Sequence, residues 1–477
     1  MRPLRLAANL GAGGIVILLV ALAAGGKVES YAVVAAGVAI AIAGALFVWH
    51  ADPAYTFCAA LLLSSFEGNW PALGVPGFLA PDRWLLIGGI VAVAARAPCC
   101  RDRPPIRPRT LYWVMAAAIV YIAVSAAQAG TITDKHAYLK IVDSVGITPF
   151  GVFAVAPAAF RTERQRGILV KALVILGAYY GLTAFLETVG PKALVWPRYI
   201  LDPNYGIHAG RARGPFAEAV TFGTGMFVCA IGAIIALMSW RSRLARAAAA
   251  AVLTLCTLGI FFTVTRSVWI GAGVGLLCFM LAVARLRRYV LPAAAALATC
   301  VAIAAIAVPS IAAQASSRAN DQQTVWDRQN LDTAALNMFS AKPLTGFGWQ
   351  TFIGRSPDYF QLNRNFPLPV GPEIVHNVWL GYLADLGLVG TTLIVLALLM
   401  GVGSALLLRA PPRARIWQAA LVAYGACYLV VSNFVTPEVF PTLVLWLLAG
   451  VVWAAAEEGT LPARAWRDRV DLAAATS

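Results

Sequence analysis

The chain has 477 residues, 60% of them hydrophobic and only 12% charged, and its mean hydropathy is +0.75. That leaves too little polar surface for a soluble globular protein. The 6 Lys and 31 Arg against 22 acidic residues give a formal charge of +15, but the arginines gather in short loops between apolar runs, which reads as membrane topology and not as nucleic-acid binding.

The apolar runs are near-continuous over lengths that cross a hydrocarbon core of about 30 Å as helices, so the expected fold is an all-α integral membrane protein, a polytopic bundle of 12–14 transmembrane helices. In chain order the expected spans are 7–25, 31–49, 54–66, 83–97, 111–128, 141–160, 168–188, 215–239, 248–264, 268–284, 289–309, 377–408, 416–434 and 440–455. The first, behind Arg2 and Arg5, is read as an anchor and not a cleaved leader, because many spans follow. The third and fourth are short, and a reentrant or tilted segment among runs two to four brings the count to twelve.

Arginines orient the bundle. Arg241, Arg243 and Arg246 precede the apolar stretch from Ala247 to Ala284, and Arg285, Arg287 and Arg288 follow it. One helix of that length would be about 55 Å long, so the stretch must turn once, at the polar break Thr263–Ser267. Both basic clusters then lie on one side, cytoplasmic by the positive-inside rule, and Arg266 lies on the other. The same alternation puts both termini, Arg101–Arg109, Arg161–Arg166, Arg409–Arg415 and Arg464–Arg469 inside. Six cysteines lie in apolar runs, while Cys99 and Cys100 abut a basic cluster, so no disulfide framework is indicated. Two outward loops are long, Gly190–Gly214 and Ser310–Val375. The second carries five basic and five acidic residues and a helical pattern around Asn330–Ser340, which describes a folded cap.

Charges at a membrane boundary are costly unless they face protein or water, so they are the functional candidates. Here they are Arg211 and Arg213 in GRARGPFAEA, Arg266 in FFTVTRSVWIG, Arg328 in WDRQNLDTAAL, and His376 in GPEIVHNVWLG. Outward arginines run against the positive-inside bias, and fork-shaped guanidiniums suit a diphosphate. His376 follows Pro372 at the start of a span, where the helix dipole favours a neutral imidazole able to act as a base. His50, His136 and His208 are read as structural. Asp385, nine residues on and about 13 Å deeper, cannot orient His376 and is read as an interhelical bond partner. Glu218 is read as a salt-bridge partner of Arg213, with a second acid/base group as the alternative. No metal-ligand motif, P-loop or dinucleotide fingerprint is found, which points to a substrate already activated in the membrane, a lipid-linked diphosphate.

Four segments together resemble the bacterial O-antigen ligase and O-antigen polymerase family of polytopic glycosyltransferases: RARGPF from Arg211, the TRS turn at Arg266, WDRQNLDTAALNMFSAKPLTGFGWQTF, and HNVWLGYLADLGLVG from His376. The resemblance covers about Arg211–Gly390. It implies a catalytic core at 211–400 that includes the outer loop 310–376, N-terminal helices at 1–210, and C-terminal helices with a cytoplasmic tail at 401–477. It also implies transfer of a glycan from an undecaprenyl diphosphate carrier to an acceptor sugar hydroxyl, on the outer face of a bacterial inner membrane, without a metal or cofactor. Partners would be that donor, a saccharide or glycolipid acceptor and membrane lipids, with no nucleic acid. His376 then corresponds to the family's loop histidine and base, and Arg211 or Arg213, Arg266 and Arg328 to its diphosphate-binding arginines. The chain departs from the family at Ala217-Glu218, where members often carry Pro-Asn, and in lacking an Arg–Gly pair spaced by ten residues that some polymerases have. A transporter or flippase of lipid-linked sugars is the alternative reading, but it would call for charges at the membrane midplane.

Overall fold

The computed structural model describes residues 29–96, 110–307, 313, 323–360, 374–435 and 438–458. The expected first span, Cys99 and Cys100, Arg101–Arg109, Pro372 and Arg464–Arg469 lie outside the described residues, as do parts of the long outer loop. Helices and turns make up the described residues, with no strand among them.

Every expected span from the second onward is helical: α1 (Glu29–His50), α2 (Pro53–Leu63), α3 (Pro81–Arg96), α4 (Thr110–Ala129), α5 (Ile147–Ala159), α6 (Glu163–Thr188), α7 (Ala219–Ser239), α8 (Arg243–Phe262), α9 (Arg266–Ala282), α10 (Val290–Ala307), α12 (Val378–Leu398), α13 (Arg415–Ser432) and α14 (Val439–Glu458). Between α10 and α12 the long loop contributes α11 (Gln323–Ala341). Nine helices among the described residues are long and apolar enough to cross a membrane. The chain is thus an all-α polytopic membrane protein. The short α2, 11 residues and about 16 Å by its rise, falls well below a bilayer core; it gives way to three 3-10 turns before α3 packs back against it.

α7 and α14 form the bundle's centre and are almost wholly buried. With no hydrophobic drive between helices in lipid, close packing must hold them, and small residues permit it. In α7, a Cβ added at Gly232 would lie 2.6 Å from the Leu173 side chain of α6. At the end where α6 begins and α14 finishes, Arg166 is buried and donates to Glu458 and to the carbonyls of Phe160 and Arg161. The cavities described below lie at the other end, where α7, α9, α12 and α14 begin.

The long loop is a folded cap. α11 buries Leu331, Ala334, Ala335 and Met338 against Phe352, Val375 and Ala384. The chain after α11 then runs back into the bundle between α4 and α12. Trp349, 1% exposed, donates from Nε1 to the Ala137 carbonyl, and its backbone N–H donates to Ser125 Oγ of α4. α12 is broken at Gly387, with φ of 62° and ψ of −164°, and the loop occupies the break: the N–H groups of Leu388 and Val389 donate to the carbonyls of Pro343 and Leu344. Backbone freed from a helix at membrane depth needs such partners. The approach requires glycine on both sides, since a Cβ on Gly346 would lie 2.4 Å from the Asp385 carbonyl oxygen and one on Gly387 2.5 Å from the Gly346 nitrogen.

Candidate functional site

A cavity of about 440 Å³ opens at this end of the bundle, within the size range of small-molecule sites. Among the described residues its walls come from five places: the loop before α7, the α8–α9 turn, α11, the chain leading into α12, and the end of α13.

The α8–α9 turn is tightly built. Thr263 closes α8, Val264 takes a left-handed φ of 47°, and Arg266 is the first residue of α9. A β-branched residue in that region is strained, so the surrounding structure has to hold it there. It does so through Thr265 Oγ1, which donates to the Thr263 carbonyl, and through Trp269, which donates to the Ile260 carbonyl and stacks on Phe261. The exposed Arg266 side chain is thereby carried on a stiff support at the cavity wall.

Arg211 reaches the same cavity from the loop before α7, whose Ala212 N–H donates to the Phe262 carbonyl at the end of α8. Arg328 comes from α11; its Nε is buried with no hydrogen-bond partner among the described residues. Burial, then the neighbouring Arg266, lower its pKa, and Asp332 opposes them. Asp332 lies one turn further along α11, and burial raises its carboxyl above the usual range against the pull of Arg328. His376 precedes Asn377, the N-cap of α12, whose Oδ1 accepts from the N–H groups of Trp379 and Leu380. Burial, then the charge of Arg328, lower the His376 pKa, with Asp327 opposing. The imidazole is therefore biased to its neutral form, by desolvation and a nearby guanidinium in place of the expected helix dipole.

Four of the sequence-derived candidates, Arg211, Arg266, Arg328 and His376, thus line one cavity; three do not. Arg213 is 2% exposed and turned inward: its guanidinium donates to the carbonyls of Ile200, Asp202 and Tyr205, and its backbone N–H donates to Glu187. It is a clamp on the preceding loop. Glu218 makes no ion pair with Arg213; it is the N-cap of α7, accepting from the N–H groups of Val220 and Thr221, with His208 Nδ1 at 3.6 Å. Asp385 holds the cap segment, accepting from the Gln350 N–H at 2.9 Å and from Thr351 Oγ1 at 3.4 Å. Asp332, Asn377 and Asn433 were not singled out from the sequence although they line the cavity. The four-residue step from Arg328 to Asp332 on a helix was a readable signal; the position of Asn433 at the end of α13 was not.

Among the described residues, three guanidiniums and an imidazole face a single carboxyl, so the cavity is suited to a ligand with several negative oxygens. Residues 249–395 match the O-antigen ligase family. The matched stretch runs from α8 to near the end of α12 and holds Arg266, Arg328 and His376, while Arg211 and Asn433 stand outside it. The resemblance drawn from the motifs is therefore to the family that about a third of the chain, in its second half, matches, one of glycan-transferring membrane proteins. No curated protein matches the chain.

Proposed function

We propose that this protein transfers a glycan from an undecaprenyl diphosphate-linked donor to a hydroxyl of a saccharide or glycolipid acceptor, at the outer face of a bacterial inner membrane. The observation that carries the reading is the joint presence of Arg211, Arg266, Arg328 and His376 around one cavity. The guanidiniums hold the donor diphosphate, and a His376 ring nitrogen takes the proton of the attacking hydroxyl. The new bond forms from that oxygen to the anomeric carbon as the bond from the anomeric carbon to the phosphate oxygen breaks, with inversion. The diphosphate leaves unprotonated because its growing charge is met by donors already in place.

The test uses purified protein in lipid with an undecaprenyl diphosphate-linked glycan, with and without an added acceptor, and follows product size. Wild-type protein is expected to form product, as a ladder from donor alone for a polymerase or as a single acceptor-dependent shift for a ligase. His376→Ala is expected to abolish product while still binding donor. Normal transfer by His376→Ala would overturn the base assignment, and movement of intact donor across the bilayer without product would overturn transfer itself.

A further inference from the structure

A second cavity, of about 350 Å³, opens at the same end of the bundle. Its walls are the turn between α2 and α3, the first turn of α3, the chain before α5, and the starts of α7 and α14. It is chemically the reverse of the first. Among the described residues five carboxyls line it, from Glu67, Asp82, Asp143, Glu218 and Glu438, against the cations of Arg83 and Lys140. Arg83 is already engaged, donating to both oxygens of Asp143 at 2.6–3.1 Å. A phosphate or an acid sugar would be repelled here.

Most of these groups have structural partners. Trp70 Nε1 donates to Asp82 at 2.7 Å, Glu218 caps α7, and Asn69 donates to the Pro215 carbonyl. Glu67 is the exception. Its Oε1 accepts from the Phe440 N–H at 2.9 Å, whereas its Oε2, also buried, has no hydrogen-bond partner among the described residues. A buried oxygen left so is unfavourable and marks a position able to take a ligand's polar group. The carboxyls also do not converge as metal ligands do: among the described residues no group of three His, Cys, Asp or Glu is placed to hold a metal ion. Dispersed acceptors beside the aromatic side chains of Trp70 and Phe216 suit a polyhydroxylated ring, whose hydroxyls donate outward and whose C–H face is apolar.

We infer that this second cavity is a binding site for an uncharged saccharide, with the Glu67 carboxyl as its buried hydrogen-bonding anchor. Burial pushes that carboxyl well above the usual range, toward the protonated form that can donate to a sugar oxygen. The two cavities share walls. The loop before α7 gives Arg211 to the first and Gly206, Ile207 and Glu218 to the second, and the chain from α13 to α14 gives Asn433 to the first and Glu438 to the second. A sugar in the second therefore lies beside a diphosphate in the first. The site stands whether or not the transfer reading holds; only the source of its sugar, acceptor or distal donor residues, rests on that reading.

The experiment measures binding of cellobiose, N,N′-diacetylchitobiose and digalacturonate to the purified full chain in nanodiscs by saturation-transfer NMR, with the melting midpoint as a control for folding. A neutral disaccharide is expected to bind saturably and digalacturonate at least tenfold more weakly. Glu67→Leu is expected to weaken the neutral sugar about tenfold, the loss of one buried hydrogen bond. Where Glu67→Leu fails to fold, Glu438→Lys at the exposed rim decides, because an added cation should reverse the preference toward digalacturonate. No saturable neutral binding by wild type, equal binding of digalacturonate, or wild-type behaviour in whichever variant folds would overturn the proposal. In the transfer assay, a neutral sugar that raises the acceptor KM alone identifies the acceptor as the source, and one that raises the donor KM alone identifies the donor.

Discussion

Asp385 lies in α12, whose N-cap follows His376, and the structure makes it a fastener of the cap with no place in the first cavity's wall. Asp385→Ala tests this. The substitution removes the acceptor of the Gln350 N–H, at 2.9 Å, and of Thr351 Oγ1, at 3.4 Å. The first bond, to a carboxyl 5% exposed, carries most of the effect, because the amide left behind is unsatisfied in a poorly solvated place. The longer contact adds little, and relief of carboxyl desolvation offsets part of the loss. The net cost is about 2 kcal/mol, or roughly 30-fold more opening of the docked segment. Hydrogen exchange of the amides of residues 346–352, read by mass spectrometry, should speed up by that factor, while α7 and α14 stay protected. If exchange in this segment is unchanged and transfer nevertheless collapses, Asp385 acts on the chemistry and the fastener argument is wrong.

Three further outcomes follow from the same geometry. Arg266→Lys should leave the melting midpoint unchanged, since the side chain is exposed, but weaken inorganic pyrophosphate binding about tenfold, because an ammonium does not reproduce a fork; undiminished binding in calorimetry would remove Arg266 from the diphosphate site. Arg213→Met should do the opposite, costing about 2 kcal/mol through the Ile200 and Tyr205 carbonyls left without a donor, since the Asp202 carbonyl keeps the Tyr205 N–H, and lowering the midpoint, with pyrophosphate affinity of the folded protein intact. For pH, burial and Arg328 lower the His376 pKa, so the active neutral base persists on the acid side of an ordinary histidine and transfer falls only below that lowered pKa. Arg328→Gln removes one of the two causes and should move the acid limb of the pH–rate profile upward; a limb that stays put would show that the two side chains are not coupled.

The spans were legible because length and apolar content decide them in a bilayer, and each expected run among the described residues is a helix. The Thr263–Ser267 turn was legible for the same reason: a largely apolar stretch of 38 residues is too long to cross once. Side-chain direction in irregular backbone was not. Arg211 and Arg213 stand two apart between Gly210 and Gly214, both with left-handed φ, and nothing in RARG says that the first lines a cavity while the second clamps carbonyls. Glu218 was misleading because spacing suggested an ion pair where the start of α7 needed a cap. The second cavity was invisible in the sequence because its carboxyls come from five separate stretches of chain.

The insertion of the cap into the break in α12 bears on how the chain is assembled during synthesis. Trp349 is held by residues more than 200 positions earlier, and the carbonyls of Pro343 and Leu344 are held by N–H groups made some 45 residues later. No shorter nascent chain can satisfy both. The two fastenings of the cap therefore cannot both form until α12 has emerged from the ribosome and met α4, and His376, just before α12, cannot take its place earlier. A chain that ends before α12 therefore carries Arg211 and Arg266 without His376, and one that ends before α13 and α14 lacks the helices against which α9 and α5 pack.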